Sequence, residues 1–207
     1  MTARVDAVVT ATGDDEDGMA SHAWLVGDDE EVIVVNPGAE DGAEAVLEAV
    51  GEREVLAVIC THGDSEHCAA APTVAERDEA PVALHPKDRV LWDVIHEDEE
   101  PDISMEGGGV FEVADSQLRV LHTPGHTRGG VCLYSADLEV VFTGATLAKG
   151  GPEIVESKYF DYSALLTSVG EKLLDLPAAT RVLPTHGEET TVGDEEPNFD
   201  AWVSRAE

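Results

Sequence analysis

Residues 61–67 read THGDSEH, so two histidines, His62 and His67, frame Asp64 and Glu66 within one short stretch. Imidazole and carboxylate are both ligands for divalent metals, and their clustering is the pattern of a metal site. Three further polar, glycine-rich turns follow: HTPGHTRGG at 122–130, TGATL at 143–147 and PTHG at 184–187. The first and last of these carry His126 and His186.

Apolar periodicity places the elements that must position these turns. His22 to Val26 and Val32 to Val35 read as two strands joined at Gly27-Asp28-Asp29 and closed by the turn signal Asn36-Pro37-Gly38. Ala43 to Val50 suits a helix. Val55 to Cys60 is a continuous run rich in β-branched residues, as in a buried strand, and it delivers THGDSEH to the loop at its C-terminal end. A helix is predicted over Glu66 to Arg77, a short strand over Pro81 to Leu84, and a helix over Lys87 to Ile95 with Val90, Leu91, Val94 and Ile95 facing inward. The acidic run Glu97 to Asp102 reads as an exposed loop near the mouth of the site.

The second half repeats the rhythm without repeating the sequence. Val110 to Val113 and Leu118 to Leu121 read as strands, the latter ending at HTPGHTRGG. Val131 to Tyr134 and Val140 to Phe142 form a predicted hairpin pair ending at TGATL. A helix with Leu165, Leu166, Val169, Leu173 and Leu174 on one face then leads to a strand over Arg181 to Leu183, which ends at PTHG. Four strand ends thus carry the turns that could do chemistry.

A chain of 207 residues is the length of one domain, able to bury roughly 70% of its unfolded surface, and a single domain over 1–207 is expected. No apolar run reaches the roughly 20 residues of a membrane span, and no basic start precedes an apolar signal core. A soluble, cytoplasmic protein is expected. Cys60, Cys68 and Cys132 are an odd set without a CxxC pair, which favours buried thiols over a disulfide framework. With 44 acidic against 12 basic residues the formal net charge is -32, which excludes nucleic acid and anionic membrane surfaces as partners. A small-molecule substrate remains, with neutral or cationic ones favoured at low ionic strength. The scattered acids and scarce lysines fit a surface adapted to high salt and one that is simply soluble equally well. Arg128 and Lys149 stand out because cations are rare and both sit beside motif turns. Either could hold a substrate carboxylate, and surface pairing with the abundant acids is the plainer role.

In this order and spacing, THGDSEH, HTPGHTRGG, FTGATL and LPTHGEETT resemble the ordered motifs of the metallo-β-lactamase-fold hydrolases, the superfamily that includes glyoxalase II and lactonases. The resemblance covers nearly the whole chain. It implies an α/β fold, the αβ/βα four-layer sandwich, with two sheets face to face and helices outside. His62 and His67 match the first and last histidines of the family's T-H-x-H-x-D-H motif, and His126 and His186 match the ligands of later motifs. The departures are as definite. Asp64 stands where the family has its second histidine, Glu66 where it has Asp, and Ala145 where many members have an Asp bridging two metals. Asn36 replaces an Asp common in its own turn.

The resemblance therefore implies two ligand sets: His62, Asp64 and His126 for one metal, and Glu66, His67 and His186 for another. Three protein ligands plus a water are what catalytic zinc sites use. Two imidazoles and one carboxylate make a harder set than imidazole alone, so zinc is the default ion, and iron(II) or manganese(II) is acceptable. The chain loses a carboxylate at Ala145 and gains one at Asp64, which leaves the formal ligand charge unchanged and argues for retained metal binding over decay. Without the bridging Asp, one tightly held ion and a weak or empty second site are expected. The bland role for Asp64 and Glu66 is a helix N-terminus, where carboxylates meet the dipole favourably. His22 and His122 read as strand or supporting residues, His85 and His96 as surface ones, and Asn36 as a residue that orients a ligand histidine without adding charge.

The function expected on this basis is metal-dependent hydrolysis of a small ester, thioester, lactone or amide, with metal-activated water as nucleophile and Asp64 and Glu66 as the catalytic carboxylates. A carboxylate at 64 donates more charge than imidazole, so the bound water should be less acidic and the optimum alkaline. Two alternatives come from other classes: a non-hydrolytic mononuclear iron(II) or manganese(II) enzyme, and a catalytically inactive relative that binds a ligand.

Overall fold

Strands apolar on both faces need cover on both faces, and this chain supplies it with two stacked sheets and helices outside them. The computed structural model describes residues 2–11 and 20–205; residues 1, 12–19 and 206–207 of the span expected as one domain lie outside the described part. In the first sheet β1 (Arg4–Ala11), β2 (Ser21–Gly27), β3 (Glu31–Val35), β4 (Glu54–Ile59), β5 (Val82–Leu84) and β6 (Ile103–Ser104) lie side by side in chain order. The strands β1 to β3 form an antiparallel meander, and β3 to β6 run parallel. Parallel neighbours require crossovers, and α1 (Ala43–Val50), α2 (Ser65–Cys68), α3 (Ala71–Glu76) and α4 (Arg89–Ile95) provide them.

The second sheet holds β7 (Val110–Val113), β8 (Ser116–His122), β9 (Val131–Ser135), β10 (Val140–Gly144), β11 (Arg181–Pro184) and β12 (Thr190–Thr191), again in chain order. Its pairs are antiparallel except β10 with β11, which are joined through α5 (Tyr162–Ser168) and a π-helical turn at Val169–Leu173. Two short helices, α6 (Val192–Glu195) and α7 (Phe199–Val203), follow.

Alternation along β2 shows how the layers are sorted. Trp24 and Val26 join Leu133, Phe142 and Leu183 in the core between the sheets, whereas Ala23 and Leu25 join Val46 of α1 and Val74 of α3 on the outer face. On the far side Cys132, Val141 and Val182 pack with Leu166, Val169 and Leu173. Cys60, Cys68 and Cys132 are buried and free, as expected of core thiols. Among the described residues no helix is long and apolar enough to cross a membrane.

The structure differs from the sequence expectations at several elements. Strand β1 is additional; Arg4 and Asp6 interrupt the apolar signal that would have marked it. The helix predicted over Glu66 to Arg77 is two helices, because Pro72 sits in the first turn of α3, where a proline ring is tolerated at a start but not inside a helix. Helix α4 is rotated: Trp92 is its buried residue, while Val90 and Val94 are 48% and 79% exposed. The indole sets this rotation, donating from Nε1 to the Glu99 carbonyl at 2.8 Å and packing on His96 at 4.2 Å between ring centroids. His85, expected at the surface, is buried; its Nδ1 accepts from the Lys87 amide at 3.1 Å and its ring stacks on His122 at 4.3 Å.

The acidic run 97–102 is exposed for most of its length but is not at the mouth. Asp102 accepts from the Val82 amide at the start of β5 (2.8 Å), and β6 begins at the next residue. Parallel β6 must start at the same end as β5, so the run lies at the N-terminal ends of the strands, opposite THGDSEH.

Candidate metal centre

The turns after β3, β4, β8, β10 and β11 meet at one edge of the sandwich. The Val131 amide donates to the Thr61 carbonyl at 2.8 Å, the Thr185 amide to Gly144 at 3.1 Å, the His22 amide to Thr185 at 2.8 Å, and the Gly38 amide to His67 at 3.1 Å. These bonds stitch both sheets together around His62, His67, His126 and His186. The four imidazoles form a continuous chain, with centroids 5.2 Å apart for His126 and His62, 4.6 Å for His62 and His67, and 4.7 Å for His67 and His186.

Two groups of ligand atoms result, His62 with Asp64 and His126, and Glu66 with His67 and His186, the atoms in each lying within 4.8 Å of one another. Asp64 Oδ2 is 3.1 Å from His126 Nε2 and 3.8 Å from His62 Nε2. His67 Nε2 is 3.1 Å from His186 Nε2, and Glu66 Oε2 is 4.0 Å from the same atom. These pairings are the two sets the resemblance implies, and sequence order alone could not have brought 62 to 126 or 67 to 186.

Asp64 occupies the N-cap position of α2 yet makes no capping hydrogen bond; its carboxylate turns to His126 instead. Asp64 at the N-cap and Glu66 in the first turn do stand at the helix start, but neither caps it by a hydrogen bond. Glu66 is looser, with its side chain 75% exposed.

Among the described residues, His62 Nε2, His67 Nδ1 and His126 Nδ1 are buried without a hydrogen-bond partner. Each such atom costs about 1–3 kcal/mol, so the cluster is expensive as plain structure. Burial, aided by the neighbouring imidazoles, pushes the pKa values of His62 and His67 well below the ordinary histidine value, which keeps both neutral, the form that ligates metal. Burial acts in the same direction on His126, but the Asp64 hydrogen bond and nearby Glu153 outweigh it and raise that ring. An unpartnered His62 Nε2 3.8 Å from the Asp64 carboxylate, within a cluster of imidazoles and carboxylates, belongs to a donor set that fits a divalent cation.

Support comes from residues behind the cluster. Asn36, in the left-handed region at φ 52, points its amide at two motif turns. Its Nδ2 donates to Thr185 Oγ1 at 2.9 Å, and its Oδ1 accepts from the Thr61 amide at 2.8 Å and from the Thr61 hydroxyl at 3.1 Å. Asn36 Nδ2 also donates to Thr61 Oγ1 at 2.9 Å, and that hydroxyl lies 2.9 Å from His62 Nδ1, so it ties the ring to Asn36 while Nε2 has no hydrogen-bond partner. On the other side Ser21 Oγ lies 3.3 Å from His186 Nδ1. Ala145 is buried at the end of β10 and offers no ligand.

Sequence reasoning missed Asp88. Its buried carboxylate accepts from the Gly63 amide at 3.1 Å, the Thr127 hydroxyl at 2.6 Å and the Gly129 amide at 2.6 Å, so it clamps the residue after His62 to the segment that follows His126. Burial raises its pKa, and those three bonds oppose the rise. A Cβ at Gly129 would stand 2.7 Å from this carboxylate, and one at Gly63 would stand 2.9 Å from Leu91, which is why both positions are glycine. The sequence signal was an acid at the start of a predicted helix, indistinguishable there from an ordinary first-turn carboxylate. Of the two conspicuous cations, Lys149 pairs with Glu188, while Arg128 lies over the Tyr159 ring at 5.6 Å.

Comparison with known proteins places this arrangement. Residues 17–186 match the family model described as the metallo-beta-lactamase superfamily. An uncharacterised protein of Aquifex aeolicus (strain VF5) is 34% identical over 180 residues, covering 80% of this chain and 82% of that one. The probable metallo-hydrolase YqgX of Bacillus subtilis (strain 168) is 30% identical over 186 residues, covering 83% and 87%. Among solved structures, TTHA1623 in a di-iron-bound form is 31% identical with a TM-score of 0.73, covering 86% of this chain and 92% of that one. Motif order, four-layer architecture and the family match agree: this chain belongs to the metallo-beta-lactamase superfamily.

Proposed function

We propose that this protein is a divalent-metal-dependent hydrolase of a small ester, thioester, lactone or amide, with zinc as its default ion. One observation carries the reading: two groups of two imidazoles and one carboxylate at converging strand ends, with His62 Nε2 buried and unpartnered. His62, Asp64 and His126 would hold the tighter ion, and Glu66, His67 and His186 a weaker one. When bound, a divalent ion supplies Lewis acidity, which makes hydroxide available near neutral pH and polarises the scissile carbonyl.

The remaining work falls to the chain. Thr61 and Asn36 hold the His62 ring in one orientation. Asp64 Oδ2 fixes His126 through its Nε2. Glu66, 75% exposed and 4.0 Å from His186 Nε2, is the outer carboxylate of the weaker set. The probable metallo-hydrolase among the relatives supports hydrolysis, and the di-iron relative supports binding of metal by this motif set. The two-imidazole, one-carboxylate set at His62, Asp64 and His126 favours a second reading, iron(II) oxygen chemistry at a mononuclear site.

The test is to strip the protein with chelator, restore zinc, iron(II) or manganese(II) singly, and assay a panel of esters, thioesters, lactones and amides. Activity that returns with metal and rises toward alkaline pH supports the proposal. Hydrolysis untouched by chelation contradicts it, and oxygen consumption in place of hydrolysis selects the iron reading.

A further inference from the structure

The chain has 44 acidic residues for 12 basic ones, so a place where unpaired cations gather is informative. Arg4, Arg53, Arg77, Arg89, Lys149 and Arg181 each lie against an Asp or Glu. Among the described residues Lys87, Arg119, Arg128, Lys158, Lys172 and Arg205 have no carboxylate within ion-pair distance. Three of these, Lys87, Arg128 and Lys158, line a single cavity of about 660 Å³.

Tyr159, on the same wall, organises two of them, with Arg128 Cζ 5.6 Å and Lys158 Nζ 4.7 Å from its ring centroid. Asp161 is the one acid in the lining, and its carboxylate is engaged by the Ala164 amide at 3.0 Å. The lining therefore carries a local positive excess inside a chain of net charge -32. A second cavity makes a useful contrast: there Arg119 and Lys172 share the lining with Glu171 and Asp175.

The cavity adjoins the candidate metal centre. Gly125 and Thr127, both in its lining, are the chain neighbours of His126, and the Thr127 hydroxyl is held by the Asp88 carboxylate that also fixes Gly63. A molecule seated here would have its charged end between the cations and its remainder beside the His126 turn.

We propose that this cavity is the anchoring subsite for an oxyanion of the substrate, a carboxylate or a phosphate, held by Lys87, Arg128 and Lys158. The proposal rests on the hydrolase reading and deepens it by naming the substrate class. It also reverses, at short range, the expectation from net charge: the acidic surface acts across distances that salt screens, whereas these cations act in contact.

Two measurements test it. The first compares substrates that share a scissile bond and differ only in a distal carboxylate, a distal phosphate or a neutral amide, using metal-loaded wild type, Arg128→Ala, Lys158→Gln and Arg128→Lys. The wild type should prefer the anionic members, and the ratio of anionic to neutral kcat/KM should fall about tenfold per cation removed, through KM. Arg128→Lys should keep most of that preference, and rising KCl should erode it. A wild-type preference for the neutral substrate, or an equal loss for both classes, overturns the proposal. The second measurement needs no turnover: calorimetric titration of inorganic phosphate and of succinate into wild type and into a Lys87, Arg128 and Lys158 triple alanine variant. Binding lost in the variant supports the subsite even if no substrate is hydrolysed. Binding that survives in the variant but disappears with chelator belongs to the metal centre and contradicts the proposal.

Discussion

The two candidate ligand groups have the same composition and different surroundings. Asp64 touches His126 at 3.1 Å in a pocket where His62 and His126 are both buried. Glu66 reaches only to 4.0 Å from His186, and its side chain is 75% exposed. Holding a free glutamate in one rotamer costs about 1–2 kcal/mol, a cost Asp64 has already met through its contact with His126. Ligand count therefore does not rank the two groups, whereas preorganisation does, and the group with Asp64 should bind first.

The largest effect expected from this difference is a loss of metal and activity on substitution at the first group. His62→Ala or Asp64→Ala should lower hydrolysis by about 100-fold or more, and Glu66→Ala by less than about tenfold. Equal losses in matched assays would erase the distinction between the groups.

Asp88 sharpens the comparison because it clamps the turns of the first group only. Asp88→Ala leaves the Gly63 and Gly129 amides and the Thr127 hydroxyl without their acceptor, so metal affinity at that group should fall about 10- to 100-fold. Titration against a competing chelator measures this, and unchanged affinity would show that the clamp serves only the fold.

The exchange of carboxylates between 64 and 145 predicts coupling. Asp64→His alone leaves the centre short of one negative charge, and Ala145→Asp alone leaves it with one in excess. The double variant should bind two zinc ions better than either single variant, and the effects should be non-additive. Effects that simply add would make the altered motif the product of drift.

A smaller effect comes from His85, away from both groups. Burial, with His122 and Lys87 nearby, lowers its pKa from 6.5 to about 4. Below 6.5 the unfolded chain binds a proton that the folded chain refuses. The stability contributed by neutral His85 is thus complete above pH 6.5 and is lost as pH falls toward about 4. His85→Gln should flatten that part of a Tm against pH curve, and an unchanged slope would assign the loss to other groups.

Much of this was legible in the sequence for local reasons. The runs Val32 to Val35 and Val55 to Cys60 report two-sided burial directly, and the turns that follow them carry Asn36, His62 and His67. The break between α2 and α3 was missed, although Pro72, at the start of α3, is a local signal for two helices over one. What stayed hidden depends on contacts distant in sequence. The rotation of α4 follows from one indole finding the Glu99 carbonyl, and the clamp at Asp88 exists only once the turn at 122–130 has folded against it. Unpaired cations are equally illegible, because pairing with distant acids is settled only in three dimensions.

The central claim is that one group holds metal tightly and the other weakly. Elemental analysis of protein purified without chelator or polyhistidine tag, before and after dialysis against a mild chelator, tests it most directly. The account predicts about one equivalent of a divalent ion after dialysis, unaffected by Glu66→Ala and lost in Asp64→Ala. Two equivalents surviving dialysis, or none bound at any stage, would contradict it.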